Sequence, residues 1–368
     1  MDFLYHYSKE AFHEGVEEME QNQLLNRVTI GDWNLRNRIV MAPMTRSFAD
    51  NETGVVGPDV VEYYRRRAAD GIGLIITEGI NPSPRAKGTF GVPGLYTQNQ
   101  IAGWKTVTHA VHQEGGTIVA QLWHVGRLTH QELTGGSPPQ APSSLRAKGL
   151  VHRLRKPYEM PEEMSAAAIQ TVIEEHVQAA RNAMVAGFDG VEIHGAHGYL
   201  IDQFNSEATN LRQDRYGGNL KQRLTFMKEL IAAVVQEIGA EKTIVRFSEI
   251  KDDMPNYRWE DPEETIKTFV QTFREIGLQI LHPSTNHFTE ILTNGMTLHE
   301  LVRKHWKGII IGVGNLEVEL AAHSIGKGTI DLAAFGRPLL ANPDFVQKVT
   351  HGMALEPYDA QRHLSILV

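Results

Sequence analysis

Apolar residues along this 368-residue chain fall into eight short runs, and each run ends in polar residues or glycine. Such near-continuous apolar runs are typical of parallel strands that are covered on both faces. The predicted strands are 38–43, 73–79, 116–124, 190–196, 242–248, 278–284, 308–314 and 331–337. Between them, apolar residues at helical spacing predict helices at 99–114, 165–186, 220–238, 262–276, 297–305, 317–325 and 344–351.

The alternation of strands and helices indicates the α/β class and favours a single (β/α)8 TIM barrel. A doubly wound open sheet is the competing arrangement, but the repeat number is eight and no second domain boundary is visible. We therefore assign the barrel to residues 24–358, with an N-terminal helical extension at 1–23 and a tail at 359–368. The extension is expected to pack on the barrel or on a second subunit, as in a homo-oligomer.

One connection, 125–163 after the third predicted strand, is too long for a simple crossover and is rich in glycine and proline. Long loops in compact domains are usually functional or disordered. A loop in this position overhangs the catalytic face of a barrel. We predict a capping loop or hairpin here, with a flexible surface insertion as the alternative.

Composition and charge exclude several kinds of function. The chain has no cysteine, which excludes disulfides, thiolate metal sites and cysteine nucleophiles. Its net charge of −8, from 44 acidic and 36 basic side chains, disfavours nucleic-acid and anionic-membrane partners. No run reaches the roughly 18 apolar residues that a membrane span needs, and residues 1–23 lack the apolar core of a signal peptide. A cytoplasmic location is expected.

In a barrel, the active site lies where the strands end at their carboxyl termini. His194, His197 and Tyr199 stand together at one such end and predict catalytic groups, although a lone histidine is more often a hydrogen-bonded interior residue. A metal site is the weaker interpretation, because Glu192 and Asp202 do not complete a recognisable ligand set. We predict no metal. The polar side chains expected on this rim are Thr45, Gln121, His194, His197, Tyr199, Arg246 and Arg337.

Glycines close the last two predicted strands, with Gly314 and Asn315 after the seventh and Gly336 and Arg337 after the eighth. In barrels these two loops frequently bind a phosphate group. Glycine lets backbone N–H groups approach the oxygen atoms, and arginine adds a bidentate charged contact. The sequence therefore predicts a phosphate site, with ordinary turn glycines as the alternative.

Three further rim residues indicate what the phosphate is attached to. Thr45, Gln121 and Arg246 suit the polar edge of a planar heterocycle such as an isoalloxazine, and Arg246 would stabilise negative charge on it. The alternative is that all three belong to a buried hydrogen-bonded network.

Three motifs resemble the old yellow enzyme family over about residues 24 to 358. They are 41–46 (MAPMTR), 121–124 (QLWH) followed by Gly126 and Arg127, and the stretch from 194–199 (HGAHGY) to 214–218 (DRYGG). The resemblance implies a barrel that binds FMN tightly and non-covalently at the strand ends. The implied contacts are backbone at Pro43, Met44 and Gly79 on the ring, Thr45, Gln121 and Arg246 on its polar edge, and Gly314, Asn315, Gly336 and Arg337 on the phosphate.

The resemblance also implies a reaction. Hydride would pass from NADH or NADPH to flavin N5, and from there to the β-carbon of an α,β-unsaturated carbonyl or nitro compound. His194 and His197 are similar to the pair that binds the substrate oxygen. Tyr199 resembles the residue that donates a proton to the α-carbon.

The chain departs from the family pattern at 248–253, at 281–284, in its short tail and in its N-terminal extension. These departures leave the physiological substrate, the NADH-versus-NADPH preference and the oligomeric state open. The alternative function is a flavin-independent barrel lyase or aldolase that acts on a phosphorylated substrate. It needs a Schiff-base lysine or a metal at a strand end, whereas Lys87 and Lys251 are expected in loops. A non-catalytic flavin- or phosphate-binding protein is a third alternative.

Overall fold

Eight parallel strands form a closed barrel at the centre of the molecule. The computed structural model describes residues 23–367, so the predicted helical extension lies, apart from Gln23, outside the described residues. Strands that are consecutive in sequence are neighbours in the sheet, and the eighth pairs with the first. The barrel strands are β1 (Ile39–Met41), β2 (Leu74–Ile80), β3 (Ile118–Leu122), β4 (Gly190–His197), β5 (Thr243–Lys251), β6 (Ile280–Ser284), β7 (Ile309–Gly312) and β8 (Leu332–Phe335).

Helices surround the barrel and connect its strands. Each predicted strand overlaps one strand of the barrel, so the single (β/α)8 barrel is confirmed and the open doubly wound sheet is wrong. No helix in the described residues is both long and apolar enough to cross a membrane. The helices are α1 (Pro58–Asp70), α2 (Gln98–Gln113), α3 (Ala166–Val185), α4 (Leu200–Asn205), α5 (Leu220–Arg223), α6 (Thr225–Ile238), α7 (Pro262–Ile276), α8 (Leu298–His305), α9 (Val318–Gly326), α10 (Arg337–Ala341), α11 (Phe345–Thr350) and α12 (Ala360–His363).

Local sequence signals start and end several of these helices. Ser165 precedes α3, and its side chain accepts a hydrogen bond from the N–H of Ala168. Thr297 and Glu300 form a capping box at the start of α8, in which each side chain bonds the backbone N–H of the other residue. The chain leaves α3 through Gly187, whose φ of +87° is the left-handed conformation that favours glycine.

The sequence pattern does not predict α1, and the buried side of this helix gives the reason. It carries Tyr63, Tyr64 and Arg67, all of them buried. Such polar and charged side chains break the apolar periodicity on which helix prediction depends. Gly57 precedes the helix and offers no side chain to cap its N–H groups, so Pro58 at the first helical position is the main start signal.

A hairpin closes the amino-terminal end of the barrel. Two short antiparallel strands, Val28–Ile30 and Trp33–Leu35, pair with each other before β1. Trp33 packs with the inward-facing apolar residues of the barrel strands. Its indole N–H donates to the carbonyl of Asp189, just before β4. Because this end is filled by apolar side chains, polar groups collect at the opposite end.

The segment 125–163 lies over the carboxyl-terminal end of the barrel, as predicted for a cap. Thr129 donates to a backbone carbonyl in the loop after β2. Arg127 forms an ion pair with a carboxylate in the loop after β5. Leu150 and Pro157 form an antiparallel bridge, so the cap contains a short hairpin. These contacts anchor the cap to loops on two sides of the barrel mouth.

Replacing Phe269 by alanine should destabilise the fold. Phe247 of β5 stacks on Phe269 of α7 with ring centroids 5.4 Å apart, and Phe273 packs on Phe269 with centroids 5.9 Å apart. Phe269→Ala removes a buried ring from this contact, and we expect the free energy of unfolding to fall by about 3–5 kcal/mol. Denaturant unfolding measures it. Lys267→Ala, on the exposed side of the same helix, should change it by less than about 0.5 kcal/mol. Equal effects of the two variants would contradict the prediction.

Candidate active site

A β-bulge at the end of β4 brings His194 and His197 to the same side of the strand. Side chains three residues apart in a regular strand point to opposite faces. The register between β4 and β5 shifts between Gly195 and His197, and His197 has a left-handed backbone with φ of +61°. The extra residue of a bulge turns the side chain that follows it. The centroids of the two imidazole rings consequently lie 5.4 Å apart.

Four side chains, Trp123, His194, His197 and Tyr199, form one group at this strand end, which we call the ring cluster. The Trp123 and His194 rings are nearly parallel, with centroids 6.4 Å apart. Tyr199 meets both of them edge-on at 5.0 Å. Gly79 makes room for the cluster, because a Cβ there would lie 2.4 Å from the indole ring of Trp123.

Both histidines of the ring cluster are neutral at physiological pH. Burial lowers the pKa of His194 well below its ordinary value, and His197 and Arg246 lower it further. Burial and Arg246 have the same effect on the pKa of His197. The N–H of Ala196 donates to Nδ1 of His194 at 3.4 Å. The ring proton of His194 is therefore on Nε2.

Ser284, at the end of β6, contacts the ring of His197. Its hydroxyl oxygen accepts a hydrogen bond from Arg246 at 3.0 Å and lies 2.9 Å from Nε2 of His197. Because arginine only donates, the hydroxyl proton of Ser284 is available for Nε2, and on this basis we assign the ring proton of His197 to Nδ1. In each histidine the remaining ring N–H, Nε2–H of His194 and Nδ1–H of His197, donates a hydrogen bond to none of the described residues.

A buried carboxylate balances the charge of Arg246. Glu192 accepts a hydrogen bond from the amide of Gln121 at 2.8 Å and lies 2.6 Å from Nδ1 of His282. Burial alone would raise the pKa of Glu192, but His282, Arg246 and Gln121 outweigh burial and lower it. Glu192 is therefore ionised. The Nε of Arg246 is buried and has no hydrogen-bond partner among the described residues.

A cavity of about 500 Å³ opens beside Arg246, at the ends of β1, β7 and β8. Arg337 also lines it and donates to the side chain of Asn315 at 3.1 Å. Met44 and Gly336 form part of its wall, and none of the described residues that line it is acidic. In a chain with a net charge of −8, Arg337 without a facing carboxylate among the lining residues favours an anionic ligand, and the unpartnered Nε of Arg246 adds a second donor.

A smaller cavity of about 210 Å³ opens beside the ring cluster. Thr45 lines it together with Trp123 and Tyr199, and Arg153 of the cap and Leu364 of the tail also contribute to its wall. Met44, the residue before Thr45, lines the larger cavity. The two cavities therefore flank one stretch of chain after β1.

The structure places every predicted site residue at the carboxyl-terminal end of the barrel. Four residues that contact them had no predicted role: Trp123, Glu192, His282 and Ser284. A signal for Glu192 was present, because alternate residues of a strand share a face and Glu192 stands two residues before His194 in β4. His282 and Ser284 lie in β6, which carries none of the predicted site residues.

Lys251 is the last residue of β5, so the expectation that it lies in a loop is wrong. Its ammonium group is buried and lies 2.7 Å from a carboxylate oxygen of Asp202 in α4. Asp202 also accepts the N–H of Gly198, in the turn after β4. The ion pair therefore joins this turn to β5. A lysine held as an ammonium ion in this way is a poor Schiff-base nucleophile.

The site fits FMN. The larger cavity offers Arg337 to a phosphate group, and none of the described residues that line it is a carboxylate that would repel the phosphate. The unpartnered Nε of Arg246 provides a buried donor for an anionic or carbonyl-bearing ring edge. A (β/α)8 barrel with an anion cavity beside a pair of neutral histidines is the architecture of an FMN-dependent barrel oxidoreductase.

The chain belongs to the NADH:flavin oxidoreductase / NADH oxidase family, whose model matches residues 23–356; this is the old yellow enzyme family. Flavin oxidoreductase hxnT of Emericella nidulans is 36% identical, over 91% of this chain and 92% of its own length. 12-oxophytodienoate reductase 7 of Oryza sativa subsp. japonica is 35% identical, over 93% of this chain and 91% of its own. These relatives are oxidoreductases, which agrees with an FMN enzyme and not with a lyase.

Solved structures give the same result. Morphinone reductase matches with a TM-score of 0.83 and 35% identity, over 92% of each chain. A structure of morphinone reductase in complex with tetrahydroNAD matches with a TM-score of 0.84 and 35% identity, over 92% of this chain and 93% of that one. The protein is therefore an FMN-dependent oxidoreductase with a nicotinamide reductant.

Ser284→Ala should release the ring of His197 from its single tautomer. Without the hydroxyl, Nε2 loses its hydrogen-bond partner, and both neutral tautomers become populated. Nitrogen NMR of the imidazole ring, assigned with a His197→Asn variant, measures the ratio. Ser284→Thr keeps a hydroxyl and should keep the proton on Nδ1. A single Nδ1–H tautomer in Ser284→Ala would show that Ser284 does not determine it.

Proposed function

We propose that the protein reduces the activated alkene of α,β-unsaturated carbonyl or nitro compounds at the expense of NADH or NADPH. The observation that carries the proposal is the ring cluster, in which two neutral histidines stand beside Tyr199 next to the anion cavity. The relatives support it, since two of them are named reductases of 12-oxophytodienoate and of morphinone. Bound FMN would supply the hydride.

Three groups of residues would hold FMN. Arg337, Asn315 and the strand-end glycines Gly314 and Gly336 would hold the phosphate, and the stretch after β1 would face the ring. Thr45, Gln121 and Arg246 contribute polar groups to the edge of the ring. The complete set is Pro43, Met44, Thr45, Gly79, Gln121, Arg246, Gly314, Asn315, Gly336 and Arg337.

His194 and His197 would bind the oxygen of the substrate. Nε2 of His194 and Nδ1 of His197 both carry a proton that no described residue accepts, so two neutral donors are available. Their hydrogen bonds strengthen as negative charge develops on the oxygen, which lowers the barrier to hydride addition. Tyr199 would then give its phenolic proton to the α-carbon. Burial and Asp252 raise the pKa of Tyr199 well above its ordinary value, so the phenol is protonated in the resting enzyme.

Arg337→Ala should weaken FMN binding. Loss of a hydrogen bond to a charged group costs about 1.5–3 kcal/mol, which corresponds to about a 10- to 100-fold higher dissociation constant. Fluorescence titration of apoprotein with FMN measures the constant. Lys327→Ala makes the same charge change at an exposed site away from both cavities and should bind FMN normally. Unchanged binding by Arg337→Ala would remove Arg337 from the proposed phosphate site.

Tyr199→Phe should slow alkene reduction while leaving reduction of the flavin by NADH or NADPH unchanged. Loss of a general acid costs about 10²- to 10⁴-fold in rate. His194→Ala should cost about 10²- to 10³-fold in the same step, because one oxygen donor is lost. Stopped-flow absorbance with 2-cyclohexenone and a nitroalkene separates the two half-reactions.

Tyr216→Phe is the matched control for Tyr199→Phe, since the hydroxyl of Tyr216 bonds Glu229 on α6. It should react like the parent enzyme. If the alkene reoxidised the reduced flavin of Tyr199→Phe at the parent rate, the proton-donor role of Tyr199 would be disproved. Failure of the reduced parent enzyme to react with any enone or nitroalkene would disprove the proposed substrate class.

The remaining predictions concern the domain boundaries, the cellular location and the oligomeric state. We keep the division into a 1–23 extension, a 24–358 barrel and a 359–368 tail as a proposal, supported by the family match over 23–356. A cytoplasmic location stays a prediction, with which the absence of cysteine is compatible. Homo-oligomer formation stays a prediction that depends on the extension, and gel filtration of the chain with and without 1–22 tests it.

A further inference from the structure

The proton donor proposed above is bonded to a carboxylate. The hydroxyl of Tyr199 lies 3.1 Å from Oδ2 of Asp252, the first residue after β5. Asp252 is held in place by its backbone N–H, which donates to the carbonyl of His197 at 3.1 Å. The rest of Asp252 is exposed. The carboxyl group therefore touches both the phenol and the solvent.

The protonation state of Asp252 decides where the proton of Tyr199 points. A phenol has a single proton, and an ionised carboxylate can only accept a hydrogen bond. While Asp252 is ionised, the proton of Tyr199 is directed at Oδ2 and away from a substrate. When Asp252 is protonated, its own O–H can donate to the phenolic oxygen, and the proton of Tyr199 is free to point elsewhere.

We propose that Asp252 is a positioning residue that controls proton donation by Tyr199: its ionised form withholds the phenolic proton and its protonated form releases and then replaces it. The inference rests on the proposed function of the site. In the productive step the Tyr199 O–H bond breaks as the C–H bond at the α-carbon forms. The Asp252 O–H bond breaks as the phenol is restored. The carboxylate that remains takes up a proton from solvent.

Charged groups on several elements face this pair. Burial raises the pKa of Asp252, and Asp253 and Asp202 also raise it, whereas the hydrogen bond from Tyr199 and the charge of Arg246 lower it; the net direction is upward. The neighbouring charges are themselves largely balanced, because Asp202 is paired with Lys251 and Asp253 with Arg127. Tyr158 of the cap and Arg246 of β5 also face Tyr199. The groups that could obscure a titration of Asp252 are thus Asp202, Asp253, Lys251, Arg127, Arg246 and Tyr158.

The sign of the pH dependence follows from this arrangement. Protonated Asp252 is the competent form, so the proton-transfer step slows as pH rises through the pKa of Asp252. Each pH unit above that pKa lowers the competent fraction about tenfold. The reductive half-reaction with NADH does not use the phenolic proton and should not share this profile.

Asp252→Asn tests the proposal, because an amide carries no charge and can donate a hydrogen bond to the phenolic oxygen as a protonated carboxyl group does. The holoenzyme is reduced with NADH and mixed with 2-cyclohexenone from pH 5 to pH 9. We expect the rate of flavin reoxidation by 2-cyclohexenone to fall in the parent enzyme as pH rises. In Asp252→Asn this rate should not change with pH and should at least equal the parent rate at low pH, which we call the plateau. Glu260→Gln makes the same charge change at an exposed position and should keep the parent profile.

Two outcomes would overturn the proposal. One is a parent-like pH profile in Asp252→Asn. The other is a rate for Asp252→Asn as low as that of Tyr199→Phe, which would make the carboxylate form the productive one. Asp252→Leu, which can neither donate nor accept, should lose the pH dependence without reaching the plateau. If it matched Asp252→Asn, donation by residue 252 would be irrelevant.

A second measurement does not depend on turnover. Carbon NMR of the holoenzyme with tyrosine labelled at Cζ, assigned by loss of the signal in Tyr199→Phe, reports the hydrogen bond of the phenol. The Tyr199 signal should titrate with Asp252 in the parent and in Glu260→Gln, and stay constant in Asp252→Asn. A signal that titrates equally in Asp252→Asn would show that the two groups are not coupled. If the signals behave as expected but no enone or nitroalkene is reduced, the coupling stands and the proposed function fails.

Discussion

The buried charge of Arg246 is the constraint on which the rest of the active site depends. Removing a guanidinium group from water is costly unless it is paired and hydrogen-bonded. Glu192 supplies the opposite charge, and Gln121 and His282 hydrogen-bond Glu192 in turn. Burial lowers the pKa of His194 and His197, and the positive charge of Arg246 lowers it further, so both rings stay neutral. The same residue keeps its buried Nε without a partner beside the larger cavity, as a donor for a ligand.

Backbone geometry then gives those donors a common direction. A regular β4 would have turned His194 and His197 to opposite faces, and the bulge with its left-handed His197 prevents this. A non-glycine residue in this conformation costs of order 1–3 kcal/mol and persists only where its surroundings enforce it. Here Ser248 accepts the N–H of His197, and Lys251 with Asp202 holds the next turn against β5. The strain is localised at the residue whose side chain the site needs.

The sequence could predict the features that repeat and could not predict those that depend on a neighbouring strand. Eight apolar runs followed by helical segments are enough to indicate the barrel and the end at which polar side chains collect. The bulge is not visible in the order of residues 194–197, because it is defined by the register against β5. The link from Arg246 through Ser284 to His197 joins three strands, and no spacing along the chain reveals it. Helix α1 escaped prediction because its buried side is polar.

Chemistry and selectivity come from different parts of the fold. The groups proposed to hold and polarise a ligand lie at the ends of barrel strands, where parallel pairing fixes their positions to one another. The roof of the smaller cavity comes from the cap and the tail, which supply Arg153 and Leu364. Substitutions in the roof can change which compound fits without moving the ring cluster, since no barrel strand passes through it. The departure from the family pattern in the tail therefore bears on substrate choice, whereas the departure at 248–253 includes Asp252 and bears on the proposed proton transfer.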